Sequence, residues 1–133
     1  MKISSIAFIL LLGYSVLTVA QTPSVENEKF VFLNNGATVG MIIKSVLKAD
    51  KQKLALTDQQ LPKARQIITK AVVNYNEGVK KLKAEKGMNQ KKLRVLAVGV
   101  ETEKVHEYKA ILTKEQYDKL VAAQMKMYPE SKL

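Results

Sequence analysis

Residues 56–64 read LTDQQLPKA, and residues 112–120 read LTKEQYDKL. The two stretches share four residues at the same offsets: Leu56, Thr57, Gln60 and Lys63 in the first, Leu112, Thr113, Gln116 and Lys119 in the second. In a Thr-x-x-Gln tetrad the Thr hydroxyl accepts the backbone N–H three residues on, while the Gln side chain reaches back to the N–H of the Thr. Each stretch therefore predicts a helix start. The Leu before each Thr predicts an apolar contact back onto the first turn.

Helical spacing continues on both sides of these two points. Before the first, Val39, Ile42, Ile43, Val46 and Leu47 form one apolar stripe with Lys44, Lys48 and Lys51 facing away, which predicts a helix over residues 37–53. After Thr57 the stripe runs through Leu61, Ala64, Ile68 and Val72 to Leu82. Pro62 lacks a backbone donor, so this second helix is expected to start irregularly but not to break. Gly87-Met88-Asn89 interrupts the pattern, and a third helix takes Leu93, Leu96, Val100, Val105 and Tyr108 on to Leu112. A fourth carries Tyr117, Leu120 and Val121 to Tyr128 and stops at Pro129.

Four helices without a convincing strand pair predict an all-α fold containing a helical hairpin. The apex of that hairpin is basic: Lys80, Lys81, Lys83, Lys86, Lys91, Lys92 and Arg94 have only Glu85 beside them. These seven residues are the candidate binding surface. Met88, Met125, Met127 and Tyr128 are further candidates for adaptable apolar contact.

The chain has 133 residues, 22 Lys+Arg against 12 Asp+Glu, a single His and no Cys. That length suits one domain. Without Cys, a disulfide scaffold and a Cys-based zinc site are both excluded. Residues 1–20, MKISSIAFILLLGYSVLTVA, combine Lys2, an apolar run from Ile6 to Leu12 and small residues up to Ala20. They read as a secretory signal peptide. The expected organisation is a signal peptide over 1–20, a loose leader over 21–36, a helical domain over 37–128 and a tail over 129–133. Within the leader, Phe30-Val31-Phe32-Leu33 before the turn signal Asn34-Asn35-Gly36 reads as a hydrophobic plug on the helices. An exported chain that dispenses with Cys suits a bacterial periplasm, where the product is expected to be soluble.

Catalytic and metal chemistry find little purchase in these residues. Glu103-x-x-His106, with Glu107 adjacent, has the spacing of half a di-iron site, but the second half needs a second His. The expectation is no metal and no cofactor, with Lys104 and Lys109 as partners on an exposed polar face. Ser24, Ser45 and Ser131 have no Gly-rich elbow beside them, so no enzyme is expected. The net charge of +10 draws acidic partners, yet Arg is limited to Arg65 and Arg94, whereas specific nucleic-acid readers lean on Arg and stacking aromatics. No nucleic acid is expected; acidic clients or peripheral contact with an anionic membrane surface fit the charge better.

Two L-T-x-x-Q motifs behind a signal peptide, in a small basic helical chain without Cys, resemble the LTxxQ family of periplasmic proteins, the Spy/CpxP-like group. The resemblance rests on Leu56, Thr57, Gln60, Leu112, Thr113 and Gln116 and on the helical plan from residue 37 to 128. It implies a cradle-shaped antiparallel homodimer whose concave basic face holds unfolded or partly folded clients without ATP, as a chaperone or envelope-stress protein. The alternative is a small periplasmic regulatory or structural protein docking on one specific envelope partner, without general chaperone activity.

Overall fold

The computed structural model describes residues 24–33 and 35–133. The signal peptide expected over 1–20 and the first leader residues, 21–23, lie outside the described residues. Four helices follow in order: α1 (Val39–Leu54), α2 (Leu61–Ala84), α3 (Gln90–Tyr108) and α4 (Lys114–Met127). The described residues contain no strand, only one isolated antiparallel bridge between Lys29 and Thr38. The fold is all-α. Among the described residues no helix is long and apolar enough to cross a membrane.

α2 is the central element, packed against α1 on one side and α3 on the other, while α4 lies chiefly on α3. The stripe read from the sequence is the one that goes inside: Ile43 of α1, Ile68 and Val79 of α2, and Tyr108 of α3 are each fully buried. Between α2 and α3, a Cβ on Gly78 would stand only 2.5 Å from a methyl of Leu96. A side chain there would force the Leu96 side chain to move.

Each turn of the chain is closed by a helix cap. α1 ends with Ala55 in the left-handed region, φ 53°, so that Leu56 N–H reaches back to the Lys51 carbonyl at 3.2 Å and the Leu56 side chain drops into the core. α2 ends in the same way with Lys86 at φ 52°, its N–H donating to the Lys83 carbonyl and the Gly87 N–H to the Leu82 carbonyl. Asn89 then caps α3 by accepting the Lys92 N–H at 2.8 Å. α3 stops at Tyr108, four residues before its expected end, because Ile111 and Leu112 both donate to the Tyr108 carbonyl and tighten the chain into a turn.

The loose leader expected over 21–36 is corrected from Ser24 onward. This segment makes a 3-10 turn at Val25–Asn27, then folds back on itself through Phe30 N–H to the Ala37 carbonyl and Val39 N–H to the Glu28 carbonyl, both 2.8 Å. Of the plug expected over Phe30-Val31-Phe32-Leu33 only Phe30 is buried; Val31 is half-buried, and Phe32 and Leu33 are exposed. Asn76 of α2, itself 1% exposed, accepts the Val31 N–H at 2.9 Å and donates to the Lys29 carbonyl at 3.1 Å. The polar residues that made the segment look loose are instead spent on α2: Glu26 pairs with Arg65 and Glu28 with Lys80.

Candidate functional site

The two L-T-x-x-Q motifs meet. Thr113 is the N-cap of α4 with both halves of the capping box formed: its hydroxyl accepts the Gln116 N–H, and Gln116 Oε1 accepts the Thr113 N–H at 2.9 Å. Thr57 and Gln60 repeat the exchange, with Gln60 Oε1 accepting the Thr57 N–H at 3.0 Å. Here the box closes a turn just before α2 and not the helix proper, because Pro62 at its second position has no N–H to continue the ladder backwards.

Across the interface, Gln60 Nε2 donates to Gln116 Oε1 at 2.8 Å and Gln116 Nε2 donates to Gln60 Oε1 at 3.0 Å. The second hydrogen of each amide goes to the backbone preceding the other motif. Gln60 reaches the Ile111 carbonyl at 2.9 Å, and Gln116 reaches the Leu54 carbonyl at 3.1 Å. Every donor and acceptor of the two amides is therefore used. This pseudo-twofold clasp ties the end of α1 and the start of α2 to the turn between α3 and α4. It positions helices and carries no reactive group.

The basic residues of the apex divide between four places. Lys81, Lys91 and Lys92 line an open groove of about 570 Å³ between α2 and α3, together with the apolar Leu82, Val95 and Leu96. Val95 is 68% exposed and stands at the open side of this groove. Lys80 and Lys83 turn instead toward the N-terminal segment: Lys80 pairs with Glu28 and Glu77, and Lys83 donates to the Val31 carbonyl at 2.6 Å. Glu77 and Glu28 hold the Lys80 ammonium above its ordinary range.

Arg94 points away to the C-terminus. Its guanidinium grips Glu130 through two nitrogens, at 2.6 and 3.2 Å, and lies over the Tyr128 ring at 5.3 Å. Arg94 in turn lowers the Glu130 carboxyl below its usual value. Lys86 takes the strained capping position and remains exposed. The seven candidates thus form one apolar groove with three lysines, two tethers to the N-terminal segment, one clamp on the tail and one cap.

The polar face expected around Glu103 and His106 needs correction at Lys104. Lys104 is buried, with its ammonium 3.1 Å from Asp50 Oδ2 of α1, and the Tyr108 hydroxyl donates to the same oxygen at 2.8 Å. It stands one helical turn before Tyr108 and so shares the inward side of α3. Glu107 and Glu103 both engage Lys70 of α2, at 2.7 and 3.0 Å, and raise that ammonium above its ordinary range. His106 is exposed, with Nε2 3.1 Å from the Lys132 carbonyl. Lys109 sits over the Tyr117 ring, 5.7 Å from its centroid. Among the described residues no three His, Asp or Glu side chains converge as a metal site would require. Met88, Met125 and Met127 are exposed, whereas Tyr128 is half-buried.

Two tertiary features were missed by sequence reasoning, the Asn76 clamp and the Asp50–Lys104–Tyr108 cluster. A helical wheel signals both, since Asn76 falls on the apolar face of α2 between Val72 and Val79, and Lys104 falls on that of α3 between Val100 and Tyr108. Compared with protein-family models, with curated proteins and with solved structures, the chain matches none.

Proposed function

We propose that this protein is an exported, ATP-independent chaperone or envelope-stress protein of the LTxxQ type that holds unfolded or partly folded clients. The observation that carries the reading is the groove at the hairpin apex. Leu82, Val95 and Leu96 offer apolar contact, and Lys81, Lys91 and Lys92 outweigh Glu85, the one acidic residue of the lining, to frame it with net positive charge. Such a surface suits segments that combine exposed apolar side chains with acidic ones, and it needs no cofactor. The Gln60–Gln116 clasp supports the same reading, because it shows the paired motifs acting as one structural unit. The reading includes a periplasmic location and an antiparallel homodimer, the latter tested by sedimentation of the purified chain.

The activity test is light scattering from a chemically denatured protein diluted into buffer with increasing amounts of the purified chain. Suppression at a stoichiometric ratio, weakening as salt screens the lysines, is expected. No suppression at any ratio at low salt would overturn the chaperone reading in favour of a single dedicated envelope partner.

A further inference from the structure

α1, α2 and α3 do not close completely on one another. Between them lies a half-open cavity of about 210 Å³, floored by the buried Ile68 and Val72 of α2 and walled by Val46 of α1 and Ala97 of α3. An engineered apolar cavity of about 150 Å³ holds a benzene molecule, so this one has room for a single aromatic ring with about two or three further heavy atoms. It shares no residue with the groove at the hairpin apex.

One wall of the cavity is charged. Lys104 and Glu101 both line it, and the Lys104 side chain is only 8% exposed. An ammonium has three hydrogens to donate. Its near partner is Asp50 Oδ2 at 3.1 Å, an oxygen already shared with the Tyr108 hydroxyl, and Glu101 Oε2 at 3.9 Å lies beyond hydrogen-bond reach. No other carboxylate among the described residues pairs with Lys104. The Tyr108 ring lies 5.8 Å from the ammonium, and an acceptor entering the cavity would add a hydrogen-bond partner to the single one that Asp50 supplies.

Charge selects the acceptor. Lys104 and Glu101 line the cavity with opposite charges, so an ion of either sign meets a like charge beside the unlike one and must also give up its hydration. A neutral oxygen meets neither objection. We propose that this cavity binds a small neutral molecule, an aromatic ring or short alkyl chain bearing one carbonyl oxygen, with the oxygen on Lys104 Nζ and the apolar part against Ile68 and Val72.

The test is an NMR titration of the purified protein with four probes of similar shape: acetophenone, ethylbenzene, benzoate and benzylamine. Acetophenone is expected to bind saturably, about tenfold more tightly than ethylbenzene and more tightly than either charged probe, the ratio that one charge-assisted hydrogen bond supplies. Ala97→Phe fills the cavity from α3 and Val46→Phe fills it from α1; whichever keeps the native helical signal is expected to lose acetophenone binding. Absence of saturable binding, equal affinity for ethylbenzene, tighter binding of a charged probe, or acetophenone binding that survives in the filled variants would each overturn the proposal.

Discussion

Gln60 and Gln116 face each other across the molecule and exchange two hydrogen bonds through their side-chain amides, at 2.8 and 3.0 Å. They stand 56 residues apart in the chain, so the contact is tertiary in origin. Each amide oxygen also accepts the Thr N–H of its own motif, so the same atom serves the local box and the long-range contact. A repeated tetrad that looks like two local helix caps is one long-range fastening.

This coupling predicts non-additive energetics. Gln60→Ala and Gln116→Ala should each lower stability by about 1–3 kcal/mol, since each leaves polar groups of the other motif unpaired. The double variant should lose less than the sum of the two, by about 0.5 kcal/mol or more. Urea unfolding of the four species measures the cycle, and strict additivity would mean that the amides do not act together.

The helix ends predict two stabilising changes. Ala55 and Lys86 occupy the left-handed region at φ 53° and 52°, where a Cβ costs roughly 1–2 kcal/mol. Glycine removes that cost, at the expense of some added freedom in the unfolded chain. Ala55→Gly and Lys86→Gly should each gain about 0.5–1 kcal/mol, read as a higher unfolding midpoint in urea.

Alkaline pH should weaken the protein through Tyr108. Burial, with the nearby charge of Asp50, raises its hydroxyl pKa far above the ordinary value of 10.0. Above pH 10 the unfolded chain gives up this proton while the folded one keeps it, so stability is full below that pH and falls as pH rises further. The slope for one linked proton is about 1.4 kcal/mol per pH unit. Tyr108→Phe should lose about 1–3 kcal/mol at neutral pH through the missing bond to Asp50, and should show a shallower decline above pH 10. Chemical denaturation between pH 8 and pH 11 checks both.

Phe30 anchors the N-terminal segment. It is 6% exposed and stacks near Tyr75, with ring centroids 6.1 Å apart. Phe30→Ala should lower stability by about 3 kcal/mol and open residues 24–36 to proteolysis before the helices are cut. Limited proteolysis followed by mass spectrometry distinguishes release of this segment from global unfolding.

The helices were legible because their signals are local. Leu112, Thr113 and Gln116 mark the N-cap of α4 by their spacing, and the stripe from Ile68 to Val79 marks a buried face by its period. The rest depends on neighbours that sequence distance conceals. Lys80 looks like a free apex charge until Glu28 is folded back beside it, and Arg94 until Glu130 arrives from the tail. Lys104 reads as a surface residue beside Glu103 until α3 is packed on Asp50 of α1. Gly87 marks the break in the helical pattern, yet Lys86 is the residue in the left-handed region and Gly87 supplies the following N–H. The basic apex was therefore visible as a composition but not as the smaller set of Lys81, Lys91 and Lys92 that lines a groove.

The claim that this groove holds unfolded clients is tested most directly by comparing the unaltered chain with a variant carrying Val95→Asp, Lys91→Glu and Lys92→Glu in the light-scattering assay. All three side chains are exposed, so the helical fold should survive. The account predicts stoichiometric suppression of aggregation by the unaltered chain and its loss in the folded variant. Equal suppression by both would contradict it.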